Sequence, residues 1–560
     1  MSQRTAPSGH AVSPQPHRTH EVTNQAPPRV DVNEFTSHTV LTEAVQRHQG
    51  GWAADELTGI GAHVGTAEFQ DDARLANTVT PVLHTLDRYG NRIDEVEYHP
   101  SYHRIIASAI EHGAHTRCWS DPRPGSHVAR AAAFMLYGQV EPGHGCPVSM
   151  THAVIPSLEL QPDVAAEWVP RALRREYSPE LSADKASAIF GMSMTEKQGG
   201  SDVRANTTVA RPAGRGGPGA EYLLTGHKWF CSAPMSDAFL VLAQADAGLS
   251  CFLLPRVLPD GTRNVFRIQR LKNKLGNKSN ASSEIELDGT VAWMVGEPGR
   301  GVRTIIEMVS QTRLDCVLGS TAGMRQSVAE ALWHARHRSA FGAKLVDQPA
   351  MTAVLADLAL ESEAATVTAM RLARAHDEDA SDSELAFRRL ATAVAKYWIC
   401  KRGPNHSYEA LECLGGNGYT EDFPLAMRYR EQPVMAVWEG SGNVIALDVL
   451  RAMSREPESV AAFDAEVGRA RGAHPVLDVH LDGLRSSLAR LAALDAGDAQ
   501  RVARRVAESM ALALQASLLV QFSPSVVADA FIAARLGQDR GFEYGTLPAG
   551  TDLRAILDRH

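Results

Sequence analysis

One carboxylate, that of Glu439, follows an apolar stretch at residues 434–438 and directly precedes Gly440, Ser441 and Gly442. Removing a carboxyl group from water raises its pKa, and a raised pKa suits a general base that works near neutral pH. An acid at this place could instead lie in the first turn of a helix, where the helix dipole favours negative charge. The sequence alone leaves both interpretations open.

A second segment that could do chemistry is MTEKQGGSD at residues 194–202, which leaves a candidate strand and enters a Gly-Gly-Ser turn. Glycine lets the backbone approach a ligand closely, and successive N–H groups in such a turn can bind a phosphate or the carbonyl groups of a planar ring. A plain polar turn is the alternative, because Gly-Ser turns are common.

A third segment, HKWFCS at residues 227–232, ends another candidate strand. Trp229 and Phe230 beside small hydroxyl and thiol side chains would suit stacking on a planar ring. Taken alone, however, an aromatic pair at a strand end is more often part of the core.

The remaining glycine clusters and histidines predict no further site. Residues 296–301 lack the strand–turn–helix unit of a dinucleotide fingerprint and indicate a loop, and LGGNGY at 414–419 is typical of a helix C-terminus. No Walker A sequence is present. His99 and His103 are four residues apart, but the Glu of a zincin is missing and Pro100 lies between them, so no metal site is predicted.

Composition excludes several classes of protein. The 560 residues carry 56 Lys+Arg and 65 Asp+Glu, a net charge of −9, with 44% hydrophobic and 22% charged residues, as in an ordinary globular protein. No apolar run approaches the roughly 20 residues of a membrane span, and the N-terminus lacks an apolar signal core. The seven cysteines form no CxxC pair. We therefore expect a cytoplasmic protein without a membrane partner, disulfide framework or structural zinc.

The pattern along the chain predicts an α+β protein. Residues 1–33 are rich in Pro, Ser, Thr, Gln and His and predict a disordered tail. Residues 34–181 are helix-patterned with little β character, and residues 182–298 alternate short β-rich runs with turns. A turn is predicted at Asp288 and Gly289. Residues 299–455 predict long helices, and residues 456–560 a further helical extension.

In order along the chain, these segments resemble those of the acyl-CoA dehydrogenase superfamily. MTEKQGGSD resembles the TEPxAGSD strand of that family, HKWFCS its KxWIT segment, and LKNKLGNKSNASSEIELDG its KxGxxxSxxxEVxFxxV stretch. RHRSAFG resembles its RxxFG motif, LGGNGYT its LGGxGY turn, and VWEGSGN its IYEGTxQ segment. The resemblance covers residues 70–453, and YHPSYH at 98–103 with the C-terminal extension is closest to the AidB adaptive-response flavoproteins.

The resemblance implies a helical N-terminal domain, a middle antiparallel β-barrel-like domain and a C-terminal four-helix bundle. It also implies non-covalent FAD, with two subunits completing each site, and a homotetramer built as a dimer of dimers. Cysteine at position 231 would replace the usual threonine beside the flavin N5. The cofactor-binding residues that the resemblance implies are Met194, Thr195, Gly200, Ser201, Trp229, Phe230, Ser232, Glu439, Gly440, Ser441 and Asn443, with Arg338, Phe341, Gly415 and Gly416 reaching the cofactor of the neighbouring subunit.

Glu439 matches the position of the family's catalytic base. The resemblance implies that Glu439 removes a proton α to an acyl thioester while the flavin N5 accepts the β hydride. Its backbone N–H and a ribityl hydroxyl of the flavin would stabilise the thioester oxygen. The other family position for the base carries Thr312, which cannot serve. Departures at Glu412 and Pro349 predict weak turnover of acyl-CoA.

The extension offers a different function. From Arg451 onward the chain has 13 Arg, no Lys and 14 Asp+Glu. Helical spacing groups Arg501, Arg504 and Arg505, and Arg485 and Arg490 could extend the stripe. The resemblance to AidB implies double-stranded DNA as the partner, in a protective flavoprotein of the DNA alkylation response. A solvated helical face or a subunit interface is the alternative.

Overall fold

The computed structural model describes residues 19–560, so the first part of the predicted disordered tail, residues 1–18, lies outside the described residues. The first domain is helical, interrupted by a hairpin of β1 (Val82–Leu86) and β2 (Arg92–Glu97). Its helices are α1 (Thr39–Arg47), α2 (Ala54–Val64), α3 (Ala67–Thr78), α4 (Pro100–Glu111), α5 (Arg117–Ser120), α6 (Ser126–Gly138), α7 (Gly145–Ala153), α8 (Ile155–Leu158) and α9 (Pro162–Ala172).

Helix α4 illustrates why these segments are helical. Ile105, Ile106 and Ile110 fall on one buried face. Pro100 occupies the first turn, where its fixed φ fits and no N–H is needed, and the His99 ring accepts a hydrogen bond from the Ser101 N–H at 3.2 Å.

The middle domain is a closed sheet. Its strands are β3 (Phe190–Ser193), β4 (Val209–Pro212), β5 (Glu221–Ser232), β6 (Ala238–Ala245), β7 (Gly248–Pro255), β8 (Arg267–Leu271) and β9 (Ser282–Val295). Hydrogen bonds connect them in the order β6-β4-β5-β9-β7, and β7 pairs with β6 to close a barrel. The predicted barrel-like domain is confirmed, although β3 and β4 pair with β6 in parallel.

The turn predicted at Asp288 and Gly289 is wrong. Strand β9 continues through both residues, and its register with β5 shifts between Leu224 and Thr225. Gly289 has φ +70°, a value that glycine adopts without strain. The Asp-Gly pair therefore marks an irregularity inside a long strand, of the kind that bends a strand in a closed barrel.

The β1–β2 hairpin also differs from the sequence prediction, which placed little β structure before residue 182. Strand β1 has no fully buried side chain, and β2 buries only Asp94 and Val96. Contacts with the barrel stabilise it instead: the Ile268 N–H donates to Asp94 Oδ1, and Arg256 donates to the Asp94 carbonyl, both at 2.9 Å.

A helical bundle follows the barrel. It contains α10 (Gly301–His337), the short strands β10 (Ser339–Ala340) and β11 (Ala343–Lys344), α11 (Pro349–Arg374), α12 (Asp382–Glu412), α13 (Pro424–Met435) and α14 (Gly442–Arg455). Ser381 begins α12 by accepting a hydrogen bond from the Glu384 N–H at 3.3 Å, as serine does at a helix N-cap. Arg130 of α6 and Asp315 of α10 form a buried ion pair that joins the first domain to the bundle.

The predicted helical extension consists of α15 (Pro457–Gly468), α16 (Pro475–Leu491), α17 (Ala496–Phe522), α18 (Ser525–Leu536) and α19 (Leu553–Leu557). Helix α17 packs against α11, α12 and α14. Buried charges reinforce the contact, since Arg371 of α11 binds Glu466 of α15 at 2.8 Å and Arg535 of α18 binds Glu361 at 2.9 Å. The extension is thus part of the compact body.

One hydrophobic cluster runs through the first domain, the barrel interior, the bundle and the extension. All seven cysteines are buried and none is in a disulfide. Among residues 19–560, no helix is long and apolar enough to cross a membrane.

The predicted disordered tail extends too far. Arg29 and Glu34 form a buried ion pair, and the Trp333 indole N–H donates to the Pro27 carbonyl at 2.7 Å. Asn24 is hydrogen-bonded to the backbone of Ser339. Few aliphatic residues are needed here because the segment is held by polar contacts with α10 and β10 rather than by a core of its own.

Candidate active site

Glu439 lies in the short connection between α13 and α14, in a strained backbone conformation. Its φ is +58°, which is uncommon for a residue with a side chain, and Gly440 follows with φ +114°. A Cβ on Gly440 would lie 2.9 Å from Ile445 Cδ1, so only glycine fits at that position. Backbone strain of this kind persists where the surrounding structure enforces it, and it is concentrated at functional sites.

Two cations hold the backbone of this connection. Arg313 Nε donates to the Glu439 carbonyl at 3.2 Å, and its Nη1 binds Asp448 Oδ2 at 2.8 Å. Lys396 donates to the Gly440 carbonyl. The Glu439 side chain is treated differently: its Oε2 is buried and has no hydrogen-bond partner among the described residues.

Burial raises the pKa of Glu439 above its ordinary value, because removal from water disfavours the charged form. Arg313, the Thr312 hydroxyl and Lys396 oppose this rise. The arrangement yields a carboxylate with an unused acceptor and increased basicity. Of the two interpretations of Glu439, the buried general base therefore fits better than a helix N-cap; Ser441, not Glu439, precedes α14.

The MTEKQGGSD segment leaves β3 and is anchored by its glutamate. Glu196 is fully buried and forms an ion pair with Lys228 of β5 at 2.9 Å. It also accepts hydrogen bonds from the backbone and hydroxyl groups of Thr207 and Thr208. This anchor could not be predicted from the sequence, because a glutamate in a Gly-rich turn is usually solvated.

Apart from Glu196, the segment at residues 194–202 is partly or fully exposed. Thr195 and Met194 are half-buried, and the turn through Gly200 and Ser201 is exposed. A Cβ on Gly200 would lie 2.4 Å from Thr195 Oγ1, so the close approach of the turn to Thr195 requires glycine. The turn has the open backbone donors that a phosphate or ring carbonyl needs.

The HKWFCS segment is the end of β5 and lies next to this turn. The Trp229 N–H donates to the Thr195 carbonyl at 2.8 Å, which ties the two segments together. Phe230 is 48% exposed, whereas Lys272 Nζ lies 3.3 Å from the centroid of the Trp229 ring. Lys272 Nζ also lies 4.6 Å from the centroid of the Phe230 ring, so the ammonium covers part of both rings, and Phe230 is the more exposed of the two.

Ser232 and Cys231 occupy opposite faces of the strand. Cys231 is fully buried in the barrel interior, so its predicted place beside the flavin N5 is wrong. Side chains alternate along a strand, and Ser232 consequently points to the outer face, where its Oγ lies 3.0 Å from Ser282 Oγ.

Cys146, at the start of α7, connects the barrel side of the site to Glu439. Its thiol lies close enough to Ser232, Asn280 and Glu439 for these groups to affect its pKa. Burial raises the pKa of Cys146 to about 12, so the thiol stays protonated. Sequence reasoning missed Cys146 because one cysteine ahead of an apolar helix carries no pattern. All three domains thus contribute to one site.

Arg338 and Phe341 lie on a separate hairpin formed by β10 and β11. Arg338 donates to the Asn24 carbonyl at 2.8 Å. Phe341 stands at the hairpin tip, 99% exposed and with φ +51°. Within residues 19–560, no hydrogen bond or ion pair links either residue to the Glu439 connection. A bulky aromatic side chain fully exposed in a left-handed conformation is typical of a group that meets a partner.

The glycine turn after α12 has an open face. A Cβ on Gly415 or Gly416 would meet no other atom within 4 Å, and the nearby Tyr419 ring is exposed. Ser441 and Asn443, at the start of α14, are exposed as well. No hydrogen bond from their side chains to the described part of the protein is found. These groups remain available to a ligand.

The five arginines of the extension do not form one free stripe. Arg485 binds Asp464 through two bonds of 2.9 Å, Arg501 pairs with Asp498, and Arg490 donates to Ser487. Arg505 is exposed, and Arg504 lies beside Gly442 of α14.

Two other features lie away from Glu439. A cavity of about 630 Å³ is lined by Tyr98, Tyr102 and His103 of the YHPSYH segment. The buried Cys118, His127 and His152 have potential ligand atoms within 4.8 Å of one another, but the Trp119 indole N–H already lies 3.0 Å from His152 Nδ1. The sequence predicted neither grouping, because each is completed by segments that are distant along the chain.

The residues present fit a flavin nucleotide. The Gly200 turn and the open glycine face at 415–416 can admit a ligand against backbone, and Phe230 offers an exposed ring edge beside Lys272. The buried Glu439 Oε2 has no hydrogen-bond partner among the described residues and is free to accept a proton. The site thus offers an aromatic contact for a planar ring, accessible backbone for a phosphate, and a carboxylate that can act as a base.

Comparisons with known proteins agree with this arrangement. Residues 24–179 match the N-terminal domain of the adaptive response protein AidB, residues 191–290 the middle domain of acyl-CoA dehydrogenases, and residues 299–454 their C-terminal domain. AidB of Escherichia coli strain K12 is 46% identical over 443 residues, which are 78% of this chain and 81% of that protein.

Two further relatives extend the comparison. Acyl-CoA dehydrogenase family member 11 of Caenorhabditis elegans is 30% identical over 441 residues, 75% of this chain and 70% of that protein. The crystal structure of C. elegans ACDH-11 in complex with C11-CoA superposes with a TM-score of 0.83 and 26% identity, and covers 97% of each chain. The family resemblance and fold class predicted from the sequence are confirmed, and family members bind FAD. The chain belongs to the acyl-CoA dehydrogenase family of flavoprotein oxidoreductases, with AidB among its relatives.

Proposed function

We propose that this protein is an FAD-dependent dehydrogenase of acyl thioesters in which Glu439 is the catalytic base and turnover is weak. The observation that carries the proposal is the Glu439 carboxylate, whose buried Oε2 lacks a partner while cations hold its backbone. A glutamate whose buried oxygen lacks a partner costs the folded protein free energy. One that keeps an acceptor unused is prepared for a proton that arrives with a substrate.

In the reaction, Glu439 Oε2 takes the proton from the carbon α to the thioester carbonyl. The electron pair of that C–H bond becomes the new Cα=Cβ bond as the β hydrogen leaves with its own electron pair. FAD, when bound, supplies the hydride acceptor. The raised pKa of Glu439 makes the carboxylate basic enough for a weakly acidic C–H, and the buried surroundings keep water from competing.

The backbone of the same residue suits the thioester oxygen. The Glu439 N–H lies outside α13 and α14, and it makes no hydrogen bond within the described part of the chain. A free N–H aimed at the carbonyl would stabilise the negative charge that develops on the oxygen when the α-proton leaves. The left-handed backbone at Glu439 allows the N–H and carboxylate to face one substrate.

We assign the flavin ring to the space between the Gly200 turn and the end of β5. Met194, Thr195, Gly200 and Ser201 would border it with backbone and hydroxyl donors, and Phe230 and Ser232 would lie beside it. Trp229 would contribute from beneath Lys272 rather than through an open face. Gly440, Ser441 and Asn443 would hold the nucleotide on the bundle side.

A second subunit would complete each site. The support is Phe341, whose exposed ring and left-handed backbone have no use within one chain. We propose that Arg338 and Phe341 contact the cofactor of the neighbouring subunit, with Gly415 and Gly416 at its pyrophosphate or adenine end. A dimer of dimers would place these elements in pairs.

The acyl group would enter an apolar space near Glu439. Cys316, Cys400 and Met435 form a buried cluster there, with Trp438 packed against it. The relative seen with C11-CoA supports a medium or long acyl chain bound as its CoA thioester.

The test is an absorbance spectrum of the purified protein, followed by anaerobic addition of saturated acyl-CoA esters of increasing length. We expect a yellow protein that at least one ester bleaches. Glu439→Gln should keep the flavin and lose bleaching, while the control Glu378→Gln, at an exposed carboxylate, should bleach normally. Undiminished bleaching by Glu439→Gln, or a folded protein that does not take up FAD, would overturn the proposal.

A second candidate is a DNA-binding protective role in the alkylation response, with the dehydrogenase site retained. The observation in its favour is that Arg490, Arg501 and Arg505 lie on the exposed end of the α16–α17 hairpin. Pairing of Arg485 and Arg501 with aspartates weakens the case, because paired charges release fewer counterions.

Filter binding of a labelled DNA duplex tests this role. DNA binding predicts retention that falls steeply between low and physiological salt and is lost on reversing Arg490 and Arg505 to Glu, with flavin content unchanged. Retention that is absent at low salt, or insensitive to both substitutions, would exclude the role.

A further inference from the structure

Two cations from different domains converge on the first residue of α14. Arg504 extends from α17 of the C-terminal extension, and Lys401 from α12 of the bundle. A Cβ placed on Gly442 would lie 2.9 Å from Arg504 Nη2 and 3.2 Å from Lys401 Nζ. Both side chains therefore end against the backbone of Gly442, where the lack of a side chain lets the two cations converge.

Neither cation is neutralised by the protein. No ion pair or hydrogen bond of the Arg504 guanidinium or the Lys401 ammonium is found in the described chain. Glu508 lies one turn along α17, but it does not pair with Arg504 within 4.0 Å. Two like charges that share one space without a carboxylate repel each other, and an anion between them would relieve that repulsion.

The electrostatics of Lys401 agree with this placement. Its pKa is lowered, first by burial and then by the charges of Arg504 and Lys396. Lys396 in turn donates to the carbonyl of Gly440. The start of α14 is thus surrounded by positive charge only a few residues from Glu439, and the exposed hydroxyl and amide of Ser441 and Asn443 add donors.

We infer that Arg504 and Lys401 bind the pyrophosphate of FAD at Gly442, so that the C-terminal extension forms part of the cofactor site. The inference rests on the proposed flavin function. A pyrophosphate carries the charge and acceptor oxygens that a guanidinium and an ammonium prefer, and the two side chains can converge at the start of α14 because residue 442 is glycine. Arg504 therefore belongs to the flavin site and not to the DNA-binding set that the sequence suggested.

Phosphate groups could also reach this place from coenzyme A or from DNA. FAD is favoured because Gly442 is in the same connection as Glu439, beside which the flavin ring must lie for the proposed reaction. The CoA and DNA sources give different results in the experiment below.

The experiment measures flavin binding by the apoprotein and, for the same variants, DNA retention on filters and the KM of the holoprotein for acyl-CoA. FAD, FMN and riboflavin are titrated against the wild type, Arg504→Gln, Lys401→Gln and the control Arg505→Gln, with quenching of flavin fluorescence as the readout. Circular dichroism melting of each apoprotein checks the fold. Riboflavin carries no phosphate, so its affinity reports only on the ring.

We expect Arg504→Gln and Lys401→Gln each to raise the FAD dissociation constant about tenfold or more, as for loss of a charge-assisted hydrogen bond. Riboflavin binding, the melting curve and the Arg505→Gln control should be unchanged. Gly442→Ala, whose methyl group would displace the tips of Arg504 and Lys401, should raise the FAD dissociation constant in the same way.

Unchanged FAD affinity in both variants would overturn the inference, as would an equal loss for FAD and riboflavin. Loss only of DNA retention, or only a higher KM for acyl-CoA, would overturn it in favour of the other phosphate sources. If the wild-type apoprotein does not bind FAD at all, the proposed function itself is wrong. This outcome differs from failure of the inference alone, in which the wild type binds FAD and the variants bind it equally well.

Discussion

Arg313 binds the backbone of Glu439 and not its carboxylate: Nε donates to the Glu439 carbonyl at 3.2 Å, while Nη1 binds Asp448 Oδ2 at 2.8 Å. The guanidinium thus fixes the position of the residue without occupying its side chain. A planar guanidinium presents separate nitrogens to the two acceptors in a fixed geometry, whereas an ammonium would have to reach both from one nitrogen.

Replacement of Arg313 by lysine should therefore slow the chemistry without removing the cofactor. We expect Arg313→Lys to keep its FAD and to be bleached by acyl-CoA about tenfold more slowly, as for loss of one oriented hydrogen bond to a charged group. Anaerobic stopped-flow absorbance measures the rate. Arg389→Lys is the matched control, because Arg389 also binds Asp448 but has no bond to Glu439. Equal slowing in both variants would contradict a specific role for the Arg313–Glu439 contact.

The pH dependence of bleaching should follow the raised pKa of Glu439. The base works only when deprotonated, so the rate should fall as the pH drops through a value above the ordinary range of a glutamate. Arg313 lowers this pKa, so Arg313→Gln should move the midpoint to higher pH. A pH series of single-turnover rates tests both statements, and a midpoint that stays near 4 in both proteins would refute them.

The buried Glu196–Lys228 pair should matter strongly to stability when only one partner is removed. Lys228→Met leaves a buried carboxylate without its cation, which typically costs about 3–5 kcal/mol of unfolding free energy. The bonds from Thr207 and Thr208 should keep the loss towards the lower end. The double variant Glu196→Gln/Lys228→Met should recover part of it. Urea unfolding followed by tryptophan fluorescence gives the unfolding free energies. A double variant that loses as much unfolding free energy as the two single variants together, or more, would contradict the predicted coupling.

Glu431 should make the protein less stable at alkaline pH. Burial, with a smaller contribution from Glu141, raises its pKa to about 7, and its Oε2 has no partner. The folded state therefore binds a proton that the unfolded state releases, so the unfolding free energy falls as the pH rises from the unfolded value towards 7 and stays low above it.

Glu431→Gln should remove this dependence, because an amide can still accept from the Asn277 N–H without a charge to desolvate. We expect the variant to melt at a higher temperature than the wild type at pH 8.5 and at a similar temperature near pH 5. Parallel melting curves across that range would show that Glu431 does not titrate as stated.

Phe341 should be needed for assembly and not for folding of the chain. Asparagine tolerates the left-handed backbone, so Phe341→Asn should preserve the β10–β11 hairpin while removing the ring. We expect a smaller particle in size-exclusion chromatography with light scattering, reduced FAD content and an unchanged circular dichroism spectrum. Phe542→Asn, at another fully exposed phenylalanine, is the control. A particle of wild-type size with full flavin would disprove the interface role.

Much of the architecture could be predicted because it depends on periodic patterns. The long helices of the bundle and the alternating strands of the barrel repeat apolar residues at fixed spacing. The β1–β2 hairpin could not, because the barrel surface around Asp94 stabilises it rather than a pattern of its own. The turn at Asp288 and Gly289 was predicted wrongly for a related reason. Turns and β-bulges favour the same residue types, and only the pairing with β5 distinguishes them.

For the site, the motifs located its segments but not the contacts among them. Glu439 was identified from one acid in an apolar run, yet its support by Arg313 and Lys396 depends on helices far away in sequence. Glu196 reads as a solvated turn residue and is in fact a buried anchor. Arg504 was grouped with its neighbours by helical spacing, which cannot show that it faces α14.

Because every cysteine is buried, the reactivity of the thiols reports local opening of the folded protein. A thiol reagent in excess should label the native protein only as fast as the segments around each sulfur open. Mass spectrometry of the labelled peptides would therefore give the rate of local opening in each domain. The same inaccessibility means that a single cysteine engineered at the surface would be the fast-reacting site, and a dye or spin label attached there could measure distances between protomers without first removing the natural thiols.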